Sequence, residues 1–288
     1  MSLILLVLAV PAGAAEPPLP ELSVPELLSN LGSPDENTRL EAIAALGDSG
    51  DPRAFDPLLR LATGPAAPGQ DRMEAAWALG NLGDRRAVEP LIGALRRDMK
   101  DRTGVMMAII PALGALGDPR AVPVLLDCLT NRRDDWLARE SAAEALGAIG
   151  DRRAVGHLIN AAWMADTRDA AIGALAAIAD PAGAEALAGA LGSAEDPETR
   201  AAAMDGLVAM GPPAVPWVAG LLAPQRREFT EPDVLRAAVE VLGRMDGPAA
   251  RAALTGAQDD PDPAVADAAR QALEGPPEKP VEKKVPKE

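Results

Sequence analysis

Side chains able to do chemistry are scarce in this 288-residue chain, and they are scattered. Its one histidine, His157, lies between Gly156 and Leu158, so no second imidazole and no adjacent carboxylate completes a metal site. Its one cysteine, Cys128, sits among Leu125, Leu126 and Leu129, the setting of a buried apolar residue rather than a reactive thiolate. A lone cysteine also rules out an internal disulfide and a cysteine-based metal cluster. There is no G-x-S-x-G elbow, no phosphate loop and no Cys–His arrangement. Asp259, Asp260 and Asp262 crowd together as Ca²⁺ ligands do, but without the spacing and glycine of an EF-hand loop. Capping of the last helix by Asp260 or Asp262 is the reading these residues favour. On these grounds the chain is expected to hold no catalytic residue, no metal and no cofactor, and to be no enzyme.

The arginines behave differently, because they recur. Arg39, Arg72, Arg139, Arg168 and Arg200 each stand seven residues before a leucine, and Arg53, Arg86, Arg120 and Arg153 each stand three after a glycine. Anion binding is one use for such rows. An acid recurs beside each arginine at the same period, so an alternating ion-pair network is the expected one.

The elements that carry these rows repeat as well. The phrases "LGDSGDPRAFDPL" (46–58), "LGNLGDRRAVEPL" (79–91), "LGALGDPRAVPVL" (113–125) and "LGAIGDRRAVGHL" (146–158) are variants of one another. Their first leucine sets a register of Leu46, Leu79, Leu113, Leu146, Leu175, Leu207, Leu242 and, more weakly, Leu273. A period of about 33 residues means stacked units, each too small to bury its own apolar face. Before each leucine, Ala and Leu recur at helical spacing, as in "RESAAEALG" (139–147). Gly50, Gly83, Gly117 and Gly150 then stop the helix in the left-handed conformation. Asp51, Asp84, Asp118 and Asp151 cap the next helix, with Pro52 and Pro119 in its first turn.

Units reading V-R-x-x-A-A-x-A-L-G-x-x-G-D-x-x-A-V-x-x-L resemble the HEAT-like repeats of the phycobilisome-lyase type. The resemblance implies an all-α fold, an α-solenoid of about eight HEAT-like helix pairs over residues 22–274. It implies that the second helix of each pair lines the concave side, and that the first arginine row ties neighbours together through a turn aspartate. Met106, Leu235 and Ala266 interrupt that row. Deoxyhypusine hydroxylase, which is similar in its repeats, holds iron with several His–Glu pairs that this sequence lacks, and bilin lyase activity is the other inherited alternative.

Composition agrees with close-packed helices: aromatics are 2%, there is no Tyr, and the net charge is -15. That charge argues against nucleic acid and favours a basic partner. Residues 1–14 read as a signal peptide, an apolar run from Leu3 to Val10 before Ala12-Gly13-Ala14, with 15–21 a short linker. The run is too short to span a membrane, and the protein is expected to be exported. The tail 275–288, rich in Pro, Lys and Glu, is expected to be disordered. Arg226, Arg227 and Phe229 share a long connection, a candidate contact loop.

What remains is a surface. Counting from the register leucine, positions -6, -2 and +2 of each second helix share one exposed stripe, with -5 beside it. Repeats two and three put Met73, Trp77, Met107 and Pro111 on the stripe, rimmed by Glu41, Glu74, Glu140 and Glu144. An apolar strip among acids is what a groove for a partner's helix or extended segment looks like. The expected function is a protein-interaction scaffold binding a partner segment there. Trp136, Trp163 and Trp217 fall off the stripe and are expected in the core or at its edge.

Overall fold

The computed structural model describes residues 22–131, 135–193, 196–223 and 230–274. The expected signal peptide, linker and tail, and Arg226, Arg227 and Phe229, lie outside the described residues. Among the described residues there are sixteen α-helices and no strand. They form eight consecutive pairs. The first members are α1 (Val24–Asn30), α3 (Phe55–Thr63), α5 (Val88–Asp101), α7 (Val122–Thr130), α9 (Val155–Ala161), α11 (Ala184–Ser193), α13 (Val215–Leu221) and α15 (Pro248–Ala257). The second members are α2 (Glu36–Asp48), α4 (Gly69–Leu82), α6 (Met106–Leu116), α8 (Trp136–Ile149), α10 (Arg168–Ile178), α12 (Pro197–Met210), α14 (Pro232–Gly243) and α16 (Pro263–Glu274).

The Gly–Asp phrase makes the joint between units. Gly50, Gly83, Gly117 and Gly150 all have φ between +60° and +74°. A single 3₁₀ turn follows, and Asp51, Asp84, Asp118 and Asp151 each accept the backbone N–H two residues on. The same carboxylates take the guanidinium of Arg53, Arg86, Arg120 and Arg153. These arginines also reach back: Arg120 to the Arg85 carbonyl at 3.3 Å, Arg153 to the Pro119 carbonyl at 2.9 Å. Arg86 lies over the Phe55 ring, 4.1 Å from its centre. One ridge of the stack is therefore a charge ladder. Asp262 caps α16 through the Ala264 N–H at 2.8 Å, so that acidic cluster ends a turn.

The register leucines fill the core between the two rows. Leu46, Leu79, Leu113, Leu146, Leu207 and Leu242 are fully buried, as is Cys128; Leu273 at the open end is half-buried. Second helices pack on one another at backbone distance. A Cβ at Gly47 would stand 2.6 Å from the Ala78 Cα, and one at Gly114 would stand 2.9 Å from the Ala145 Cα. First helices touch their like far less. A two-row stack with one row drawn closer together curves towards that row, so the second helices form the inner face.

Candidate functional site

The second helices carry their residues on the inner face in register. At -2, Glu144, Asp205 and Glu240 are exposed, and Trp77 is 44% exposed. Met73, Glu74, Met107, Pro111 and Glu140 are half-buried, and Glu41 is exposed. Met73 and Met107 rest one side against the core. α4, α6 and α8 are successive neighbours in the inner row, so the stripe runs Trp77 with Met73 and Glu74, then Pro111 with Met107, then Glu144 with Glu140.

Pro111 lies inside α6. It has no N–H to give the carbonyl four residues back, that of Met107. The acids sharpen in the fourth unit. Burial raises the Glu140 carboxyl above its usual range, and the nearby charges of Glu144 and Asp169 push it further. A cation placed there would relieve that repulsion. The stripe thus offers one large aromatic face, two thioethers and a rim of carboxylates. It suits a chain that brings apolar and cationic groups together.

The other tryptophans are not core residues. Trp136 is 54% exposed, Trp163 71% and Trp217 44%. Trp136 opens α8 ahead of Ala138, its first buried position; Trp163 lies in the turn after α9. Such places lie outside the leucine register, which is why neither is drawn inside. His157 is exposed on the wall of a separate cleft of about 480 Å³, with Thr130, Asn160 and Trp163. Among the described residues no group of three His, Cys, Asp or Glu is placed to hold a metal ion.

The first arginine row is a real tie where its partner exists. Arg39 meets Asp71 of the next unit at 2.8 Å, and Arg139 meets Asp166. Between the second and third units the partner position holds Val105. There, among the described residues, Arg72 has only the Thr103 hydroxyl at 3.5 Å. Thr103 in turn donates to Asp98, whose other oxygen accepts the Met106 N–H at 2.9 Å and so caps α6 from the preceding helix. Sequence reading missed Asp98 altogether. Its signal was a charged residue at an apolar position near the end of α5.

Comparison with known proteins follows the same lines. No curated protein matches the chain. Among solved structures, the complex of CpcE and CpcF of phycocyanin lyase from Nostoc sp. PCC7120 shares the fold, with a TM-score of 0.52 and 24% identity over 92% of this chain and 98% of that one. Human deoxyhypusine hydroxylase gives a TM-score of 0.39 and 24% identity over 87% and 94%. Residues 38–63 and 138–162 match the PBS lyase HEAT-like repeat. That match overturns the expectation that the chain is no enzyme: two of its units are of the PBS lyase repeat type. Scarcity of reactive side chains was a poor guide because repeat proteins hold their ligands across a surface rather than in one constellation. Among the described residues no helix is long and apolar enough to cross a membrane. The HEAT-repeat model matches residues 66–141 and 195–274, more than half of the chain, and the protein belongs to the HEAT-repeat family.

Proposed function

We propose that this solenoid is a protein-binding module that holds a basic, partly apolar segment of a partner along its inner face, centred on α4, α6 and α8. The observation that carries the reading is Trp77, a large ring left 44% exposed on the row whose neighbours pack most tightly. Burying such a ring against a partner is worth more than any other single contact on this face. The rim of Glu41, Glu74, Glu140 and Glu144 sets the sign of the partner's charge and steers its approach.

A second reading is favoured by the two units that match the PBS lyase repeat. In it the same groove presents a bound protein to a lyase-type reaction. An absorption spectrum and a metal analysis of protein purified from its host separate the two: a bound chromophore supports the lyase reading. Export, which the apolar leader motivates, belongs to the proposal as well.

The test of the groove is Trp77→Ala, measured against a synthetic amphipathic peptide bearing Arg and Leu. Stability should change by no more than about 1 kcal/mol, as for a surface site. Binding should weaken by about 2 kcal/mol or more, the size of an aromatic anchor. Unchanged binding, or a large loss of stability, sinks the groove.

A further inference from the structure

Between the third and fourth units the arginine tie is missing in both halves, as it is between the seventh and eighth, where the register places Leu235 and Val265. By register the arginine position in the third unit is Met106, and the aspartate position in the fourth is Ala138. A short alanine and a neutral thioether, both buried, stand where a guanidinium and a carboxylate meet between the first and second units. Beside them lies a cleft of about 430 Å³ at the first turns of α6 and α8, with Met99, Met106 and Met107 among its walls.

Two carboxylates also line it, Asp98 and Asp135. Asp98 is only 1% exposed. It accepts from the Thr103 hydroxyl and the Met106 N–H and has no cationic partner among the described residues. A buried carboxylate without a counter-charge is costly, and the cost falls when a cation arrives. Asp135, exposed, caps α8 through the Leu137 N–H. Arg102 stands at the exposed rim. Met107 belongs both to this cleft and to the inner stripe, so the two surfaces are continuous.

We infer that the cleft is a specificity pocket for an arginine side chain of the bound partner, which supplies from outside a rung that the described residues do not make at this joint. The inference rests on the groove reading for its biological setting. Polarisable thioether walls suit the flat, weakly hydrated guanidinium better than a compact, strongly hydrated ammonium. The two carboxylates among the lining residues offer acceptors to its N–H fork.

The full-length protein labelled with ¹³C-methyl methionine is titrated with capped arginine, capped lysine and capped norleucine. Capped arginine should shift the methyl signals of Met99, Met106 and Met107 while those of Met204 and Met245 stay still. The lysine compound should bind about tenfold more weakly, and norleucine should shift nothing. Met106→Arg places a rung in cis; it should keep or raise the melting temperature and abolish the response of Met99 and Met107. Three still methyl signals with capped arginine, an equal response to lysine, or an intact response in Met106→Arg each overturn the pocket. A capped amino acid needs no groove, so this result is independent of Trp77→Ala: failure there with success here removes the groove and leaves the pocket.

Discussion

The tight inner row makes a test in which two chemically identical changes have opposite sign. Gly147 and Gly173 both lie inside helices, α8 and α10, and replacing helical Gly by Ala gains about 1 kcal/mol in propensity. At Gly173 an added Cβ meets nothing within 4 Å. The gain should be kept, and Gly173→Ala should stabilise by about 0.5–1 kcal/mol. At Gly147 the added Cβ would stand 2.7 Å from the Ala174 Cα and 2.8 Å from its Cβ. Carbon atoms rest at about 3.5–4.0 Å, so α8 and α10 must part by roughly 1 Å. Opening of that size forfeits about a quarter to a half of the dispersion along the seam, and overpacking costs about 1–3 kcal/mol. Set against the propensity gain of about 1 kcal/mol, Gly147→Ala should destabilise by up to about 2 kcal/mol. Urea denaturation followed by circular dichroism reads both, provided the slope of the transition is unaltered. A lower slope for Gly147→Ala alone would mean that the two halves of the stack have begun to unfold separately, which is the same seam failing. If both variants shift the midpoint upwards, the helices are not in backbone contact there and the inner-face assignment is wrong.

Three further outcomes are expected. Leu146→Ala, at a fully buried site, should cost about 2–5 kcal/mol by denaturation; a loss typical of the surface puts the register in error. Hydrogen bonds from the Arg53 and Arg120 side chains, then from their backbone N–H groups, hold Asp51 and Asp118 down at about 2. Depressed carboxyls stabilise the fold above the unfolded value of about 4, and that stability fades as pH falls through the folded value. The melting-temperature gap between wild type and Asp118→Asn should therefore narrow from about pH 4 to about pH 2, and a constant gap counts against the ladder. Mass spectrometry of protein from its host should find the chain starting near Ala15; an intact Met1 on the abundant species removes the export proposal.

Much of the architecture was legible because the same short-range chemistry is written in each unit. Gly83 must be left-handed, Asp84 must cap, and Leu79 must be inside; each follows from local backbone and burial rules that repeat. The stripe was legible for the same reason, since a helical period assigns Trp77 and Glu144 to one face whatever the neighbours are. Trp136 and Trp163 fall off the stripe and for that reason were expected in the core or at its edge, yet both are exposed. Their positions, at a helix start and in a turn, lie outside the periodic face that decides burial.

The cleft was harder to see, because it depends on what two units fail to supply together. Met106 looked like a gap in the arginine row, an absence with no consequence. Ala138 was not singled out in the sequence at all. Only the packing of α6 beside α8 shows that the two positions meet and that Asp98, from a third helix, lines the same cleft. A filled rung such as Arg39–Asp71 satisfies its own charges and leaves little for a ligand to gain. An empty rung beside a buried carboxylate leaves a binding energy unrealised in the free protein. Where Arg39–Asp71 and Arg139–Asp166 fasten their units from within, the α6–α8 joint has, among the described residues, no such pair beside Asp98, and there an outside cation has most to offer.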